Sequence, residues 1–127
     1  MINLVSGQAN TTSLTLTEKA TNLTANYALF VFQHGAEATQ AAIATSITSY
    51  GGGHCRTYDV IVIPSMVFNT LNAYHTYKVY EQTSDSNTDP TDDSVLGLIE
   101  KGRAFVSGAE QITYVENSND ETYVVNQ

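Results

Sequence analysis

Residues 84–94 read SDSNTDPTDDS, and they gather more oxygen donors than any other stretch of the chain. Asp85, Asn87 and Asp89 fall at positions one, three and five of a calcium-loop pattern, and Asp93 falls at position nine. The pattern then breaks. Pro90 occupies position six, where the sharp turn needs Gly, and Leu96 occupies position twelve, where a bidentate Glu closes the shell. Four oxygen donors make Asp85, Asn87, Asp89 and Asp93 a weak metal candidate. The competing reading is a solvated loop whose Asp, Asn and Ser side chains bond their own backbone. Paired carboxylates can also serve hydrolysis, but that needs two acids held across a cleft rather than side by side at a loop tip. The expectation is an exposed loop over residues 83–94 without a tightly held ion.

Other reactive residues form no constellation. Cys55 is the one cysteine, so no internal disulfide can form, and His54 beside it does not by itself make a nucleophile pair. A small residue at a strand edge is the simpler reading. Gly51, Gly52 and Gly53 lack the following Lys-Ser/Thr of a phosphate loop, so they read as a turn. His34, His54 and His75 have no metal-ligand spacing. No catalytic residue and no cofactor is expected, and the chain is not read as an enzyme.

The elements that must carry these residues are strands. "MINLV" is a short strand candidate, and "SLTLTEK" alternates Leu14 and Leu16 against Thr15 and Thr17. "NYALFVFQH" is apolar on both faces and predicts a central strand buried on both sides. "AEATQAAIATSITSY" is the only helix-like stretch, though its second half reads equally as a strand. "CRTYDVIVIP" alternates and is ended by Pro64. "YHTYKVYEQ" places Tyr77, Val79 and Glu81 on one face, with His75 expected at a surface or partly buried strand start. "VLGLIE" and "RAFV" follow, separated by a Lys101-Gly102 turn signal, and "QITYVEN" with "ETYVVNQ" reads as a C-terminal hairpin. This spacing predicts an all-β fold: one antiparallel β-sandwich, Ig-like or jelly-roll-like, over residues 1–127.

The charge balance narrows the partners. Thirteen acids against five bases give a net charge of −8, whereas a phosphate backbone needs Lys and Arg to displace its counterions. Nucleic acid and an anionic membrane surface are therefore not expected as partners. No apolar run approaches the roughly 20 residues of a membrane span. "MINLVSGQAN" shows no basic start followed by an apolar stretch, so a cytoplasmic site of synthesis without secretion is expected. Charged residues are only 14% of the chain, and eight tyrosines offer large apolar faces with polar tips for protein contacts. Tyr74, Tyr77 and Tyr80 flank the strand that feeds the acidic loop. Whichever of them points outward is the first interface candidate, and the Gly-rich excursion over residues 35–57 is the second.

Four segments in order carry a resemblance: "LTLTEKATNLTANYALFVF", "YHTYKVYEQTSDSNTDP", "LIEKGRAFVSG" and a final "TYVV". Together they resemble small virion structural proteins of tailed phages infecting Bacteroidota, including crAss-like phages. Residues 35–73 lie outside the resemblance. It implies a β-sandwich built into the phage particle as a capsid decoration or auxiliary protein, assembled in the host cytoplasm. The implied partners are the major capsid protein or other virion proteins, together with further copies of the chain in a homo-oligomer. A head-fibre or tail adaptor is the near alternative, and a carbohydrate-binding adhesion module the more distant one.

Overall fold

The computed structural model describes residues 1–17, 19–23, 25–52 and 55–108. Among these residues eight strands follow in chain order: β1 (Ile2–Val5), β2 (Asn10–Leu14), β3 (Tyr27–Gln33), β4 (Gln40–Ile43), β5 (Ser46–Gly52), β6 (Cys55–Ile63), β7 (Ala73–Gln82) and β8 (Val95–Ser107). They form a five-stranded sheet in the order β1-β8-β7-β3-β4 and a three-stranded sheet in the order β2-β6-β5. The fold is a single all-β sandwich. Its strand pairs are antiparallel except one: β1 runs parallel to β8, pairing Ile2 with Ala104 and Val5 with Ser107.

The core lies between the sheets. The larger sheet contributes Ile2, Leu4, Phe30, Phe32, Val79, Ala104 and Val106, and the smaller sheet contributes Ile61 and Ile63. Phe32 meets Phe68 edge to face at 5.4 Å between ring centroids. Such pairing adds to simple area burial. As expected, β3 is buried on both faces: Ala28, Phe30 and Phe32 point into the core, while Leu29 and Val31 are buried on the opposite face. That opposite face is partly covered by the polar loop after β7, which brings Pro90 to a recess shared with Val31 and Tyr80.

Three sequence expectations need correction. The Ala-rich stretch is not a helix; it forms β4, a tight connection and the start of β5. Its Ala side chains suit close packing beside Phe30, the partner of Ala42. The alternating "SLTLTEK" is not strand throughout, since β2 stops at Leu14 and Leu16 is drawn into the core from a connection. Lys101-Gly102 is no turn: β8 runs unbroken through it for 13 residues. Gly102 lies opposite Tyr77, and a Cβ at position 102 would stand 2.9 Å from the Tyr77 ring. The glycine is there to admit the ring, as happens where an aromatic lies across a strand glycine. The expected C-terminal hairpin over residues 111–127 lies outside the described residues.

Gly102→Ala should therefore destabilise the fold by about 1–3 kcal/mol, because the Tyr77 ring that the added Cβ would meet is itself buried. Tyr77→Leu in the same chain should recover part of that loss. Denaturant unfolding of the single and double variants measures both, and equal stability of Gly102→Ala and the parent would refute the packing account.

Candidate functional site

Among the described residues two carboxylates are buried, one from each sheet, and both serve the connection between β2 and β3. Asp59 of β6 is 1% exposed and Glu81 of β7 is 2% exposed. Asp59 Oδ2 accepts hydrogen bonds from the backbone N–H groups of Leu16 and Thr17, each at 2.8 Å. Its Oδ1 accepts from the Thr17 hydroxyl at 2.7 Å and the Ser49 hydroxyl at 2.5 Å. Glu81 accepts from the backbone N–H groups of Thr21 and Asn22, each at 2.8 Å, and from the Asn26 amide at 2.9 Å. Burial pushes the Asp59 carboxyl up, but hydrogen bonds from Ser49, Thr17 and the Thr17 and Leu16 backbone outweigh it and hold it below the usual range. Burial likewise pushes Glu81 up, and donors on Asn26, Asn22 and Thr21 bring it net below its usual value. Both stay ionised and saturated, which suits them to hold a loop rather than to shuttle a proton.

The acidic loop spends its oxygens locally. Asp89 Oδ1 accepts from the backbone N–H of Thr91 at 2.9 Å and from its hydroxyl at 2.7 Å. Asp92 Oδ2 does the same for Ser94 at 3.0 and 2.7 Å. Asn87 Oδ1 accepts from the Asp89 N–H, and the Asn87 amide donates to Gln82 Oε1 and the Asp89 carbonyl. Buried Gln82 donates back to the Ser84 and Asn87 carbonyls. Asp85 and Asp93 are exposed. Among the described residues, no group of three His, Cys, Asp or Glu side chains is arranged to hold a metal.

The histidines are placed differently from expectation. His75 is buried, not at the surface, and its ring centroid is 5.1 Å from that of His34. Ala104 lies opposite His75 across the strands, and Phe68 packs on its ring at 5.5 Å, leaving room for an inward imidazole. The His34 Nδ1–H donates to the Tyr74 carbonyl at 3.0 Å, a role set by the acceptor. The His75 Nδ1 has no hydrogen-bond partner. Burial lowers the His75 pKa, the Ala73 carbonyl opposes that, nearby His34 adds to it and Glu37 opposes it. His54 lies outside the described residues.

Of the three tyrosine candidates, the structure brings two to the surface. Tyr77 turns into the core and is removed from the set. Tyr74 is 48% exposed on the outer face of the larger sheet, and Tyr80 is partly exposed on that same face. Tyr74 meets Phe105 edge to face at 5.2 Å, and the Arg103 guanidinium stands 4.7 Å from the Tyr74 ring centroid. On this same face Lys78 sits directly opposite Lys101. Like charges so placed repel, and among the described residues the only ion pair is Lys19 with Glu100. The outer face of β7–β8 thus carries three cations in a chain with only five bases, beside an aromatic pair. Sequence reading missed Arg103 and Phe105 because their role depends on the β7–β8 register. It also missed Asp59 and Glu81, although an acid set into the apolar runs "DVIVI" and "VYEQ" is the signal that marks them. From the segment 35–57, Tyr50 stacks on Tyr58, just beyond it, at 5.5 Å on the outer face of the smaller sheet, both exposed.

No family model, no curated protein and no solved structure matches the chain. Among the described residues no helix is long and apolar enough to cross a membrane.

Stability should fall with acid in two stages. The lowered His75 pKa means the unfolded chain binds that proton more readily, so its contribution is complete above the ordinary value of about 6.5 and is lost below it. The lowered Asp59 and Glu81 values add stability that is complete above about pH 4–5 and lost as pH falls through their folded values. Thermal unfolding across pH should show both stages, with the first missing in His75→Leu. Asp59→Ala at neutral pH should cost about 2–4 kcal/mol, since it orphans the buried Leu16 and Thr17 N–H groups. A flat profile between pH 7 and 5 would contradict the burial of a neutral His75. For the acidic loop, millimolar Ca²⁺ should leave the melting temperature where Mg²⁺ leaves it.

Proposed function

We propose that this protein is a structural component of a phage particle, a capsid decoration or auxiliary subunit bound to the major capsid protein. The observation that carries the reading is the ordered series of virion-like segments in the sequence, from "LTLTEK" to the final "TYVV". The outer face of β7–β8 supports it. Tyr74 with Phe105 and Arg103 is an exposed aromatic and cationic cluster, the composition that dominates binding at protein interfaces. A net charge of −8 is suited to a subunit that stays off the packaged genome. Repeated copies on a symmetric shell would turn a modest contact into firm attachment.

The alternative of a carbohydrate-binding module has one specific support, the exposed Tyr50–Tyr58 stack, since sugar rings pack against such faces. The two readings separate by variant. Tyr74→Ala should weaken incorporation into particles by roughly thirtyfold, a loss of about 2 kcal/mol per site, while Tyr50→Ala leaves incorporation unchanged. Quantitative mass spectrometry of purified virions from phage carrying each variant gives the readout. Recovery of the parent chain only in lysate, and never in particles, would end the virion reading.

A further inference from the structure

Three recesses on the outer face of the larger sheet join end to end. The middle one, of about 520 Å³, is lined by Gln33, Thr76, Lys78, Lys101 and Arg103. It shares Gly102 and Arg103 with a recess at Met1 and Tyr74. It shares Gln33, Thr76 and Lys78 with a recess at Val31, Tyr80 and Pro90. Together they make one trough that follows β7 from Tyr74 to Tyr80. The backbone beneath it is already used, because β7 is paired on one side with β3 and on the other with β8. Whatever lies in the trough is therefore recognised by side chains.

Those side chains run in a fixed order. The middle is cationic, and none of Lys78, Lys101 and Arg103 has an ion-pair partner among the described residues. Lys78 directly faces Lys101, a repulsion that a bound anion relieves. Arg103 is held over the Tyr74 ring, and its fork of donors suits a carboxylate. Between the cations, the Thr76 hydroxyl donates to the Gln33 carbonyl and the Gln33 amide donates to the Glu37 carbonyl. The Thr76 and Gln33 side-chain oxygens keep capacity to accept, which suits backbone N–H groups. Both ends are apolar. Tyr74 packs with Phe105 at one, and Val31 with Pro90 forms the other. Asp89, next to Pro90 in the chain, disfavours an acid at that end.

The order apolar, cation, cation, apolar decides the class of partner. A nucleic acid carries charge at every repeat and an acidic polysaccharide offers no apolar groups to seat at two ends. A polypeptide supplies both. From Tyr74 to Tyr80 is six residues of strand, roughly 20 Å, the length of about seven extended residues. We propose that the trough binds an extended acidic segment of a partner protein, with apolar residues at its ends and carboxylates between them. The net charge of −8 repels such a segment elsewhere, so the cationic patch also fixes the direction of approach. The inference rests on the reading of this face as the capsid contact and names what the capsid side must present.

The test uses the full chain and a labelled peptide, Leu-Thr-Glu-Thr-Glu-Thr-Leu, whose Leu and Glu side chains share one side when extended. Anisotropy titration should show saturable binding that added salt weakens. Lys101→Glu and Arg103→Glu should each weaken it by at least about tenfold without lowering the melting temperature, and Tyr50→Ala should leave it unchanged. The isomer Glu-Thr-Leu-Thr-Leu-Thr-Glu, of the same charge, should bind at least about tenfold more weakly. Absence of saturable binding, equal binding of the two peptides, or binding indifferent to Lys101→Glu would overturn the proposal. Tighter binding of a uronate oligosaccharide or a single-stranded oligonucleotide of the same charge would overturn it as well. Virion composition separates this failure from that of the capsid reading. Peptide binding by a chain absent from particles upholds the trough and sinks the capsid reading. Incorporation undiminished by Lys101→Glu sinks the trough and leaves the capsid reading standing.

Discussion

The sandwich depends on two buried anions holding one connection. Between β2 and β3 the chain passes from the smaller sheet to the larger one, and a crossing without regular structure leaves backbone N–H groups with no ladder to join. Asp59 takes those of Leu16 and Thr17, and Glu81 takes those of Thr21 and Asn22. A single carboxylate can accept several hydrogen bonds at once, and charge-assisted bonds are stronger than neutral ones. Because Asp59 stands on the smaller sheet and Glu81 on the larger, the connection is tied at each end to a different layer. Leu16, caught between these ties, is driven fully into the core.

That arrangement explains which parts of the fold could be read from the sequence. β3 and β6 were legible because burial on two faces, or on one, writes itself as apolar runs or alternation. "SLTLTEK" was misleading for the opposite reason. Leu14 and Leu16 are both apolar because both pack against the core, yet only Leu14 lies in a strand; the period survives where the ladder does not. Gly102 misled in a similar way. A glycine after a lysine has the local look of a turn, and the Tyr77 ring that requires it lies 25 positions away in sequence. The acidic loop was legible in chemistry, since Asp and Asn bonding to their own backbone is a local matter. The candidate surface was legible only in part. Tyr74 could be named, but its partners Arg103 and Phe105 are set by long-range register.

Polar groups also divide the two faces of β7. Its inward residues include His75, Tyr77, Val79 and Glu81, three of them polar. Glu81 is satisfied by the connection, and the Tyr77 hydroxyl engages Glu100, which with burial raises its pKa. His75 is the exception, with a buried Nδ1 that nothing accepts or donates to. A strand carrying so many inward polar groups relies on its cross-strand partners to make them tolerable, and β8 supplies several: Gly102 for the ring, Ala104 for the imidazole and Glu100 for the hydroxyl.

Strand β8 is thus held unequally along its two sides. Its inward side is fixed residue by residue to β7, so its register cannot slip without pushing Tyr77 onto a Cβ and exposing Ile99. Its other edge, by contrast, is paired with β1 over only four residues among the described residues. The bulges opposite Val79 and Glu81 sharpen this division. They turn Ile99 into the core while leaving Leu96 and Leu98 outside, so the apolar residues of one continuous strand are divided between the core and the surface.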